Sequence, residues 1–162
     1  SFHLGCEFVR DKEGVLCLRP RKYIDRMVAT YEQMFGEKPS MKVSSPLEKN
    51  DHPELDDSDL CDPEGVKQYQ SIVGSLQWAA SLGRIDITTA VMTLSRFRSM
   101  PRKGHLLRAR RVVAYLRKMR DACIRIRTHE PDYSAIPIIE FDWEISVYVE
   151  VAVLIPSDAP PP

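Results

Sequence analysis

The side chains able to do chemistry are arranged along this sequence in a way that favours binding over catalysis. Its carboxylates crowd into KPSMKVSSPLEKNDHPELDDSDLCDPEG, where Glu48, Asp51, Glu54, Asp56, Asp57, Asp59, Asp62 and Glu64 stand among Pro and Ser. No spacing there resembles a calcium loop with its central Gly and terminal Glu. The cysteines (Cys6, Cys17, Cys61, Cys123) form no C-x-x-C pair, and the histidines (His3, His52, His105, His129) are equally scattered. These gaps fit no zinc pattern, so idle thiols of a reducing compartment are expected and no metal site is assigned. There is no G-x-S-x-G, no phosphate-cradling glycine loop and no H-E-x-x-H. Without a credible nucleophile–base pair, no catalytic residue is assigned either.

The biased stretch is cationic. From Arg96 to Arg120 there are Arg and Lys residues but no acid, although the whole chain balances 23 basic against 23 acidic residues. Arg102, Lys103, Arg108, Arg110, Arg111, Arg117 and Lys118 are the candidate contacts. A plain solvated face is the bland reading. Against it, a solvated helix normally mixes signs, because i,i+4 pairs of opposite charge help it and like pairs do not. A like-charged face suits a phosphate backbone, which Lys and Arg neutralise with counterion release. Such contacts position a nucleic acid without reading its sequence.

The elements that carry these residues follow from periodicity. At 162 residues, 43% hydrophobic and 28% charged, the chain suits one modest domain or two small ones. FHLGCEFVRD and GVLCLR alternate like strands around the turn residues DKEG, predicting a hairpin over residues 1–19. Residues 20–36 read as a helix, with Pro20 in its first turn, Gly36 just past its end, and Tyr23, Ile24, Met27, Val28, Tyr31, Met34 and Phe35 on one stripe. Residues 37–65 read as a solvated acidic linker. Residues 66–121 read as helices: about Val66 to Leu82, then one N-capped by Asp86 and carrying Ile87 to Phe97, then about Lys103 to Met119. In the last, Leu106, Ala109, Val112, Val113, Leu116 and Met119 gather opposite Lys103, Arg110, Arg111, Arg117 and Lys118. Within residues 122–162, CIRIRT and ISVYVEVAVLI read as strands in an otherwise irregular, Pro-ended segment. The class is α+β: an N-terminal β-hairpin, a mostly helical middle and an irregular or β C-terminal connection. No apolar run approaches the ~20 residues of a membrane span. The opening SFHLGCEF, without an initiator Met, reads as part of something longer.

YQSIVGSLQWAASLGRIDITTAVMTLSRF resembles the segment after the polymerase palm in copia-type LTR retrotransposon reverse transcriptases. Tyr69, Gly74, Leu76, Arg84, Asp86, Ile87, Ala90, Val91, Leu94, Ser95, Arg96 and Phe97 carry the resemblance, and Pro101, His105, Arg111, Tyr115 and Leu116 continue it. The flanking FHLGCEFVRDKEGVLCLRPRKYI, VSSPLE and RTHEPDY resemble that family's hairpin, linker and connection toward ribonuclease H. Ile85 stands where the family often has Pro, and Arg19 where many relatives have a capping Ser.

The resemblance implies part of an RNA-directed DNA polymerase, non-catalytic by itself. Leu4, Gly5 and Cys6 would belong to the primer grip and the helical middle to the thumb, with an RNA–DNA hybrid or DNA duplex as partner. The Tyr-x-Asp-Asp signature, whose aspartates hold the catalytic Mg2+, does not occur in the sequence. That signature and ribonuclease H are expected in further regions of the polyprotein. A cytoplasmic or virus-like-particle setting is implied, with no membrane partner. Two rivals stand beside this reading: an interaction module whose basic face docks on an acidic surface, including the chain's own acidic linker, and a decayed relic without activity.

Overall fold

The computed structural model describes residues 2–3 and 5–126. The alternating stretch expected as one first strand is folded in two. Phe2–His3 (β1) and Cys6–Arg10 (β2) pair antiparallel, with His3 opposite Cys6. The chain reverses at Gly5, whose φ of 96° is a conformation L side chains rarely adopt. Alternation runs through both arms, so periodicity alone does not reveal the break.

The expected turn at DKEG joins β2 to Leu16–Arg19 (β3). Asp11 closes it: one carboxylate oxygen accepts the backbone N–H groups of Glu13 and Val15, each at 2.9 Å. The predicted CIRIRT strand forms as Ile124–Ile126 (β4) and joins β3, with Cys17 opposite Arg125. The sheet order is β1-β2-β3-β4, antiparallel throughout. Arg125 reaches back to Asp11 (2.7 Å) and Glu13 (2.6 Å), fastening the last strand to the hairpin turn.

Among the described residues, four α-helices build the rest of the α+β fold. Arg21–Phe35 (α1) starts one residue after Pro20, which occupies the N-cap position, and no side chain caps it. Gly36 ends it in the left-handed region at φ 70°, its N–H bonded to the Glu32 carbonyl at 2.8 Å. Pro63–Ser81 (α2) begins earlier than the expected Val66. Asp62 is its cap, accepting the Gly65 N–H at 2.8 Å, and Pro63 fits the first turn. A single 3-10 turn over Ile85–Ile87 leads into Thr88–Ser95 (α3), and Lys103–Lys118 (α4) closes the helical part.

Their apolar stripes meet in one core. Ile24, Met27 and Tyr31 of α1, Tyr69, Ile72, Val73 and Leu76 of α2, Val91 and Leu94 of α3, and Val112, Val113 and Leu116 of α4 are all buried there. The sheet abuts this body at the end of α2, where the Cys6 thiol donates to the Leu82 carbonyl at 3.4 Å. The buried Tyr69 hydroxyl donates to the Leu94 carbonyl at 2.6 Å, tying α2 to α3. Tyr69→Phe is expected to lower stability by about 1 kcal/mol in urea unfolding. The loss stays small because the same carbonyl also accepts the Phe97 N–H at 3.1 Å. The strand expected at ISVYVEVAVLI and the connection after residue 126 lie outside the described residues.

Candidate functional site

Of residues 37–65, expected as a solvated acidic linker, 37–62 run along α4 as a strap that turns once in a 3-10 helix, Pro53–Leu55, and 63–65 open α2. The physical reason is charge. With no acid of its own between Arg96 and Arg120, α4 finds counter-ions and acceptors 44 to 78 residues away in sequence. From Val43 onward the strap descends antiparallel to the helix. The Pro39 and Val43 carbonyls accept from Arg117 and from Lys118 (2.8 Å). Lower down, Glu48 meets Arg111 at 2.9 Å, and Asp51 and Asp56 meet Arg108. At the N-terminus of α4, the Ser58 carbonyl accepts from Arg102, and Asp59 meets Lys103 at 2.9 Å. Glu37, where the strap begins, pairs with Arg110. All seven candidate cations therefore have a partner in residues 37–62.

The strap has an inner clasp and an outer set of pairs. In the clasp, Arg108 Nε spans both Asp51 oxygens at 2.9 and 3.0 Å while a second nitrogen binds Asp56. The three side chains are only 22%, 11% and 7% exposed. Burial works to raise the Asp56 carboxyl, but hydrogen bonds from Ser58 and Arg108 outweigh it and hold it below the ordinary aspartate range. Ser58 also accepts the Gly104 N–H at 2.8 Å. A Cβ on residue 104 would run into the Asp56 carboxylate, so the glycine is what lets the strap sit down on the helix. His105 adds a neutral anchor. Its Nδ1 accepts the Arg102 N–H at 3.0 Å, so Nε2 carries the proton it donates to the Pro53 carbonyl at 2.8 Å. Phe97 stacks on the same ring at 4.0 Å.

The outer pairs differ. Glu37, Glu48 and Asp59 are 64%, 69% and 81% exposed. Beneath the strap lie clefts of about 450 and 350 Å³, both bordered by Leu107 and Arg111. Arg111 Nε is buried there without a hydrogen-bond partner. The outer strap thus leaves part of the cationic capacity of α4 unspent.

The residues expected to form a primer grip face inward where they are described. Gly5 turns the chain against Leu82, and Cys6 is buried beside it; Leu4 lies outside the described residues. Asp86 does not cap α3. It binds the almost fully buried Arg84 through two oxygens at 2.9 and 2.6 Å. Burial acts to raise the Asp86 carboxyl, and the bonds and charge of Arg84 hold it low instead. Arg84 also donates to the Met119 carbonyl at 3.0 Å and lies 5.8 Å from the Tyr115 ring centre, so the turn before α3 is bolted to the end of α4.

One surface escaped the sequence reading. Gln70, Gly74 and Trp78 follow one another at every fourth position along the outer face of α2. Trp78 is exposed, and nothing stands within 4 Å of where a Gly74 Cβ would lie. Gln70 donates to the Arg98 carbonyl at 2.9 Å, and the exposed Arg98 reaches Gln77 at 3.3 Å. The available signal was Trp78 itself, a large aromatic lying off the buried stripe. Among the described residues, no group of three or more His, Cys, Asp or Glu could hold a metal ion, and no helix is long and apolar enough to cross a membrane.

Comparison with known proteins shows what the sequence is similar to. Over 137 residues, 79% of the chain, it is 32% identical to the retrovirus-related Pol polyprotein from transposon TNT 1-94 of Nicotiana tabacum. Over 116 residues, 71% of the chain, it is 37% identical to the corresponding polyprotein from transposon RE1 of Arabidopsis thaliana. The chain is homologous to part of retrotransposon Pol polyproteins. A transposon Ty5-1 protein of Saccharomyces cerevisiae is 42% identical over 85 residues, 52% of the chain. The Pol homology spans 10% and 7% of the two plant polyproteins and 25% of the yeast protein. No family model and no solved structure matches the chain.

Proposed function

We propose that this Pol homologue is the duplex-holding, non-catalytic part of a copia-type reverse transcriptase, corresponding to primer-grip hairpin, thumb and connection. The observation that carries the reading is α4: a helix without acids, with six cations outside its buried stripe and a seventh, Arg102, at its N-cap, in a chain homologous to retrotransposon Pol polyproteins. An RNA–DNA hybrid presents the phosphates such a helix would neutralise. The open strip of Gln70, Gly74 and Trp78, with Arg98 beside it, supplies a second contact in which amides and an aromatic ring can approach the sugar edge of a duplex. Phosphodiester formation by two-metal catalysis would belong to palm aspartates holding Mg2+, whose Tyr-x-Asp-Asp signature this sequence does not contain.

The test is binding to an RNA–DNA hybrid across a salt series. The chain is expected to bind at low salt with a log–log slope of about 3, at roughly 0.9 per phosphate neutralised. Arg110→Glu, Arg111→Glu and Arg117→Glu together should abolish it, and Trp78→Ala should weaken it several-fold. A folded chain that shows no binding at about 50 mM salt, with its outer acids intact or neutralised, overturns the reading. One observation favours a second reading, that of a non-enzymatic interaction module: the face is already occupied by the chain's own acids, so α4 would serve as an internal seam.

A further inference from the structure

We infer that Glu37, Glu48 and Asp59 are built-in competitors for phosphate, so that these carboxylates must leave Arg110, Arg111 and Lys103 before a nucleic acid can take hold. The inference rests on the duplex-binding reading and adds its regulation. Four observations carry it. The three acids occupy Arg110, Arg111 and Lys103, three of the seven cations assigned to the duplex. They do so from exposed positions, where an ion pair is weak and readily exchanged. The strap does not sit flush, because two clefts remain beneath it beside Leu107 and Arg111. Arg111 Nε is buried and unbonded, a donor that a phosphate oxygen could use and Glu48 leaves idle.

The inner clasp behaves differently. Arg108, Asp51 and Asp56 are mostly shielded from water, and His105 and Ser58 pin the neighbouring backbone to the start of α4. Pro39 and Val43, whose carbonyls hold Arg117 and Lys118, are buried as well, so the strap backbone is the fixed part and the exposed carboxylates of Glu37, Glu48 and Asp59 are the releasing part. These three carboxylates trade places with phosphates one for one, so the cost of freeing Arg110, Arg111 and Lys103 is set by three exposed pairs rather than by the clasp.

The experiment compares three full-length chains on one RNA–DNA hybrid. One is the native chain, and one carries Glu37→Gln, Glu48→Gln and Asp59→Asn. A charge control carries Glu13→Gln, Glu32→Gln and Glu64→Gln, which remove the same charge away from α4. The outer-acid variant is expected to bind about tenfold tighter than the control, with a salt slope steeper by about 2 to 3 units. Carboxyl-carbon NMR on the native chain supplies an independent readout: adding the hybrid should move the Glu37, Glu48 and Asp59 signals and leave those of Asp51 and Asp56 in place. If the native chain binds but both variants behave alike, or if the Glu37, Glu48 and Asp59 signals do not move in the complex, the competition is overturned and the duplex-binding reading stands. If none of the three chains binds, both fall together.

Discussion

Replacing Arg84 by Met is expected to cost about 3 kcal/mol or more, the largest single loss in the helical body. The guanidinium is almost fully buried and makes its contacts in three directions: to Asp86, to the Met119 carbonyl and over the Tyr115 ring. Removing it strands the half-buried Asp86 carboxylate without its cation and takes one of two donors from the Met119 carbonyl, which keeps the Ala122 N–H at 3.1 Å. The turn before α3 also loses its tie to α4. The double variant Arg84→Met, Asp86→Asn should recover part of the loss, since breaking a buried pair costs more than replacing both members. A double-mutant cycle on urea midpoints measures the difference. Equal losses in single and double variants would mean that the pair is not what holds the turn.

Arg108→Met is expected to cost about 2–4 kcal/mol at pH 7, because it strands Asp51 and Asp56 together in a shielded place. Its signature is the pH dependence. In the native chain Asp56 is held below the ordinary aspartate value of 3.8. Its contribution is therefore fully present above that value and is lost as pH falls through the depressed folded value. In the variant the cation is gone, and burial beside a like charge pushes the Asp56 carboxyl up instead. The folded state then binds protons more readily than the unfolded one, so acid favours it. The stability gap between native and variant chains should shrink from pH 7 to pH 5, read from urea unfolding at each pH. A gap that stays constant would mean that the carboxylates escape to solvent when Arg108 is removed.

Periodicity and punctuation carried much of the fold. The α1 stripe and the left-handed Gly36 at its end are local properties, written in residues a few positions apart. So are the alternation of β2 and β3 around Asp11 and Gly14, and the buried faces of α2 and α4. The break at Gly5 is also local, but two short arms with the same alternation look like one strand. The true start of α2 was visible in Asp62 followed by Pro63, and was hidden by counting Asp62 among the acids of a linker.

By itself the sequence determined that the chain is α+β, that four amphipathic helices have one apolar face each, and that α4 has cations and no acids of its own. It could not decide where those cations go. Only the tertiary structure set Glu48 against Arg111, Asp51 and Asp56 against Arg108, and Asp59 against Lys103. It also buried Arg84 and so took Asp86 away from capping α3. The reason is that a helix or a turn is specified by neighbours along the chain, whereas an ion pair is chosen by proximity in space after folding. A charge in sequence has a sign but no address, and packing α1, α2 and α4 together brought residues 37–62 alongside the helix that lacked counter-ions.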